Sequence, residues 1–217
     1  MTRTAILLTL FAAGLTACST DSPLPTSSHM SHPGSLMLSD LTQASSAQTL
    51  DALRQLTAKF HDLDAATDAH YNLLTAPPAT APDGCISDAS AGGMGYHYSR
   101  FDNLGDDAID LLDPEFLVYA PTDAPRVDGV ARTRLAAVEY FLPFSAKWPA
   151  KTDPTFVKAP TLHDFPTTSG LPDIAFTPTS RFGGWMFHIW LWENNPSPVG
   201  MFDNFNTSVP LCLGSSF

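Results

Sequence analysis

Charge is scarce in this chain, and positive charge scarcer still: charged residues make up 15% of the 217, with 11 basic against 22 acidic and a formal net charge of −11. That balance repels polyanions, which argues against nucleic acid and anionic lipid surfaces as partners of the folded body. Cysteine is rare too, three in all, and none sits in the C-x-x-C or Cys-His spacing of a zinc site. Beyond the N-terminus no segment is apolar enough to span a bilayer. There is no G-x-S-x-G elbow, no phosphate loop and no H-E-x-x-H, and Gly92-Gly93-Met94-Gly95 lacks the following helix that a nucleotide-binding turn needs. Internal repeats are absent. Hydrophobic residues still make up 44% of the chain, enough for one sizeable core, and a single domain is the economical reading.

The N-terminus carries a different message. Arg3 supplies a short positive region, and residues 5–13 are apolar apart from Thr9. That is the length of a signal-peptide core and too short for a membrane span. It runs into Leu15-Thr16-Ala17-Cys18, which resembles the lipobox of bacterial lipoproteins, where cleavage leaves a diacylglyceryl cysteine as the new N-terminus. The resemblance implies that residues 1–17 are removed and that Cys18 is acylated. Acyl chains contribute about 0.8 kcal/mol per buried methylene, so several of them hold a protein on a bilayer without a transmembrane helix. Ser19 stands where an inner-membrane retention signal usually places Asp. The expectation is therefore a cell-envelope lipoprotein of the outer membrane, with the lipid bilayer as its first partner.

Residues 18–48 are rich in Ser, Thr, Pro and His and read as a flexible tether, and residues 49–217 as the globular domain. From Thr49 the residues Leu53, Leu56, Phe60, Leu63, Thr67, His70 and Leu74 recur at spacings of three and four. This stripe predicts one amphipathic helix, ended by Pro77 and Pro78. The period then changes to two, with strands predicted over 94–99, 116–120, 134–142 and 185–192 and a Pro-rich excursion over 143–178. Because no helical pattern separates these strands, the sheet should be mainly antiparallel. The fold class is α+β: an N-terminal amphipathic helix packed on a curved sheet or partly closed barrel. Cys85 and Cys212, at the two ends of the folded region, pair as a disulfide in an oxidising compartment or serve as thiolate ligands; their spacing favours the disulfide.

Three titratable residues sit in mid-strand among apolar neighbours: His97, Glu139 and His188. By alternation Glu139 shares a face with Leu135, Ala137 and Phe141, and His188 shares one with Met186, Trp190 and Trp192. A carboxylate on an apolar face needs a cation, a proton or hydrogen-bond donors. Two histidines supply these directly or through a metal, and two His with one carboxylate is the ligand set of many mononuclear iron, zinc, manganese or copper sites. The candidate cofactor is thus a single transition-metal ion in a pocket walled by Tyr98, Trp190 and Trp192, which would contact a small ligand. Each histidine alone reads more often as a core group bonded to a carbonyl or as a residue on the solvent face of its strand, and Glu139 as a partner of Arg100 or Arg181. His61 and Asp64, three apart on the helix, make a weaker pair on a solvated flank. His70 reads as a core or interface residue, while His29, His32 and His163 fall outside patterned segments.

The motifs Gly92-Gly93-Met94-Gly95-Tyr96-His97-Tyr98, Asp113-Pro114-Glu115, Ala137-Val138-Glu139-Tyr140-Phe141-Leu142-Pro143, Phe187-His188-Ile189-Trp190-Leu191-Trp192 and the closing Asn206, Val209 and Cys212 resemble a group of small secreted bacterial proteins. The likeness runs from about Thr57 to Cys212. It implies a shared order of elements and a cysteine pair, and it implies no activity. Asn206-Thr207 stands where that group would place Asn-Pro. Two functions follow from the residues: a metal or small-ligand binding lipoprotein, or a non-catalytic envelope module whose exposed Trp185, Trp190 and Trp192 meet an envelope protein or a glycan.

Overall fold

The computed structural model describes residues 45–74, 84–122, 132–168, 170–179 and 182–212. The expected signal peptide, Cys18, residues 19–44 of the expected tether, Pro77, Pro78 and Arg181 lie outside the described residues. Helix α1 spans Ser46–Thr57, so it takes in residues assigned above to the tether. Its start is set by capping. Ser45 N donates to Gln48 Oε1 at 2.9 Å and Ser45 Oγ accepts from Gln48 N at 3.4 Å, a reciprocal box that satisfies two otherwise orphaned amides.

The long helix expected from the stripe breaks instead. A 3-10 turn, Ala58–His61, follows α1. Asp62 is then extended, and its carboxylate caps Asp64 N at 3.0 Å to start a second helix, α2, over Leu63–Asp68. This local side-chain bond offers the backbone an alternative to continuing the helix. The stripe therefore survives only in part. Leu53 and Phe60 are buried and Leu56 is 39% exposed. His70, expected in the core or an interface, is exposed in the left-handed region at φ 68°.

The strands are β1 (Asn72–Leu73), β2 (Cys85–Asp88), β3 (Gly92–Ser99), β4 (Phe116–Pro121), β5 (Thr133–Pro143), β6 (Thr177–Thr179) and β7 (Gly184–Ile189). They form one seven-stranded sheet in the order β1-β3-β4-β5-β7-β6, with β2 also on β3, and every pairing is antiparallel. The class is α+β, as expected. The sheet is not closed into a barrel, which corrects the partly closed alternative. Pro178 in β6 has no N–H to offer a further strand, and after Ile189 the chain leaves the ladder: Trp190 N donates to Met201 O and Trp192 N to Ala136 O. The sheet nonetheless curves. Residues of β2 and β6, from opposite ends of the strand order, line one cavity of about 330 Å³ together with Met186, Asn204 and Phe205.

Both faces of the sheet are covered. On one side Leu117, Tyr119, Val138, Tyr140, Trp185 and Phe187 pack against Leu53 and Phe60 of the helical segment and against Trp148, Phe165 and Phe176 of the Pro-rich excursion. Full burial of each such side chain contributes about 1.5–3 kcal/mol. The other side is smaller and holds Phe116, Phe141 and Met186 next to Val118, Ala137, Trp190 and Val209. Two bulges adjust the parity. In β5, Val118 pairs Ala137 while Tyr119 pairs Leu135, leaving Ala136 extra. Leu135 thereby joins the helix-side core, which corrects its expected place on the face of Glu139.

Candidate metal centre

Glu139 stands near the middle of β5, the longest strand, directly across from His188 of β7. His97 lies on β3, across from Val118, which in turn pairs Ala137, the residue before Glu139 on the same face. The register thus brings all three to the smaller face of the sheet, although His97 is separated from the others by β4. Each has a side chain of 0% exposure. His97 Nε2 lies 3.2 Å from Glu139 Oε2 and His188 Nε2 lies 3.4 Å from the same oxygen. The imidazoles are 5.9 Å apart and nearly perpendicular, and the three ligand atoms lie within 4.8 Å of one another.

The outer nitrogens decide what the inner ones present. His97 Nδ1 is 3.1 Å from Gly95 O, an atom that only accepts, so Nδ1 carries the hydrogen, and in the neutral ring Nε2 faces inward as a lone pair. His188 Nδ1 is 3.4 Å from Asn204 Oδ1, and the same tautomer follows with the amide so oriented. Although the two Nε2–Oε2 approaches are short, neither has the alignment of a hydrogen bond: both Nε2 atoms and both Glu139 oxygens are without a hydrogen-bond partner among the described residues. Alignment is the better guide here, since distance alone does not make a hydrogen bond. Burial is the main cause that lowers the pKa of His188, with His97 adding to it and Glu139 opposing it. A neutral imidazole is the form that ligates.

Buried acceptors converging without a donor are costly. A cation among them resolves the conflict. Atoms bound at about 2.0–2.1 Å to a tetrahedral centre stand roughly 3.3–3.4 Å apart, and the two carboxylate–imidazole separations have that size. His97, Glu139 and His188 could therefore hold one metal ion, with the second carboxylate oxygen available as a fourth donor. The fixed tautomers are the usual outer support of histidine ligands.

Other expected residues lie elsewhere. Trp190 adjoins His188: it is buried, stacks on that ring at 6.0 Å and donates Nε1–H to Asp203 O at 2.6 Å. Tyr98, one residue from His97, points to the opposite face and meets Tyr119 at 5.0 Å. Trp192 leaves the strand and packs edge-on to His61 at 4.5 Å. Neither walls the site. Trp185 and Trp190 are buried rather than exposed. Arg100 pairs with Asp113 at 2.6 Å, not with Glu139. Cys85 and Cys212 are joined as a disulfide with Cα atoms 5.8 Å apart, so they are not thiolate ligands.

Sequence reasoning missed Gly95 and Asn204. Only the glycine-rich run hinted at the first; Asn204 lies in irregular chain with no pattern to mark it. Compared with known proteins, the chain matches no family model, no curated protein and no solved structure.

Proposed function

We propose that this chain is a metal-binding lipoprotein of the bacterial cell envelope that holds one transition-metal ion between His97 Nε2, His188 Nε2 and the carboxylate of Glu139. The observation that carries the reading is the convergence of these buried acceptors with no donor among them. Their complete enclosure favours an ion held as part of the fold over one open to substrate. The envelope location rests on the signal-peptide pattern and on Cys18 in its lipobox-like setting.

The test is metal analysis of untagged protein. One equivalent of a first-row metal is expected in the native protein and none in Glu139→Gln, which keeps the shape and removes the charge. Added metal should raise the native stability by roughly 2.7 kcal/mol at one hundred times Kd and leave the variant's melting temperature where it was. No metal and no shift in the native protein would return the three residues to core polar groups. The envelope-module reading would then stand, resting on the half-buried Trp192 alone, because Trp185 and Trp190 are buried.

A further inference from the structure

The site is closed on one side by the end of the chain. Trp190, stacked on His188, donates to Asp203 O, and Asn204 Oδ1 meets His188 Nδ1. Asn206 exchanges two backbone hydrogen bonds with Gly93, at 3.2 and 3.0 Å. Beyond it Val209 packs in one cluster with Val118, Ala137 and Trp190. Val118 is the cross-strand partner of His97, and Ala137 precedes Glu139 on its face. Val209 therefore packs with the residues that lie between the proposed metal ligands. The segment then ends at Cys212, whose N–H donates to Ser87 Oγ at 3.1 Å and whose sulfur is bonded to Cys85 on β2. Gly93 accommodates the segment, since a Cβ there would lie 2.7 Å from Pro210 O and from Val209 Cγ1.

We propose that residues 204–212 are a disulfide-latched strap over the metal site, so that the Cys85–Cys212 bond controls how fast the ion is exchanged. This inference rests on the metal reading above. With the bond intact the strap is tied at both ends and the ion is kinetically trapped. Reduction takes two electrons and two protons to the paired sulfurs, giving two thiols. With a water-soluble phosphine as donor, phosphorus is oxidised to the phosphine oxide and water supplies the oxygen and both protons. The strap end beyond Asn206 then loses its covalent tie, Val209 lifts, and the ion leaves or enters.

The experiment uses the full chain refolded with cobalt(II) under oxidising conditions, and follows loss of the bound-cobalt absorption after excess chelator is added. Phosphine reduction is expected to speed release at least ten-fold, and Cys85→Ser/Cys212→Ser, which removes both strap thiols as possible ligands, should release at the reduced rate. Hydrogen exchange should lose protection over 204–212 and keep it in β5 and β7. Should the double variant fail to fold, Val209→Ala with the disulfide intact decides, and is expected to release several-fold faster than the native protein. Equal release rates in oxidised and reduced protein overturn the latch, as does loss of protection throughout the sheet on reduction. Absence of cobalt from both forms is a different outcome and sinks the metal reading itself.

Discussion

Two buried acids show how much a neighbour decides. Glu139 faces two imidazoles, whereas Glu115, 3% exposed, accepts from Phe141 N at 3.3 Å, and its burial pushes its carboxyl well above the usual range against the backbone hydrogen bonds that lower it. A carboxyl whose folded pKa is raised contributes stability that is fully present below the unfolded value and is lost as pH rises toward the folded one. Glu115→Gln keeps an acceptor for Phe141 N and removes the titration. It should therefore raise the melting temperature at pH 7, with the gain shrinking as pH falls to 4 and below; a pH series of thermal melts checks this. His97, Glu139 and His188 were legible as polar residues on apolar strands. Tyr98 and Trp192 were misplaced because strand parity and strand ends were read without the register. Glu115 drew no notice as a charge, since it stands just before β4 and its burial comes from the fold rather than from any local pattern.

Among the elements, strong period-two segments were readable and short or irregular ones were not. Strands β3, β4, β5 and β7 follow the alternation in the sequence. β1, β2 and β6 have only two to four residues each and give no period to detect. The break at Asp62 was hidden because the stripe continues through it, while a side-chain cap outweighs a weak propensity. Gly95 shows what a single position does for an element. Its φ is 112°, a Cβ would lie 2.6 Å from Tyr119 O, and its own carbonyl meets His97 Nδ1. Gly95→Ala should cost about 2–4 kcal/mol by denaturant unfolding, from the strained φ together with the forced separation of β3 from β4. A cost under about 1 kcal/mol would show that the backbone there relaxes freely.

At the scale of the whole molecule the α+β class and the antiparallel sheet were legible, because nothing helical separates the strands. The choice between a curved open sheet and a partly closed barrel was not, since it depends on which strands meet around the cavity. The proposed anchoring belongs to this scale also. Cys18→Ala should leave the protein in the soluble fraction after detergent-free lysis, where the native chain sediments with membranes; unchanged sedimentation would refute lipid attachment. The bridge between Gly93 and Asn206 has one more consequence, which concerns time. The disulfide joins residues 127 apart in sequence, and Gly93, beyond the end of the β3–β4 pairing, meets Asn206 only after all seven strands have been made. Contacts of such separation form slowly, because the chain between must be ordered before they reward it. The order of assembly is therefore constrained: β1 to β7 can pair while the rest is being made, but the Gly93–Asn206 bridge and the disulfide wait for residues 204–212, leaving a period in which a partner, an oxidase or an ion can act on a sheet not yet strapped.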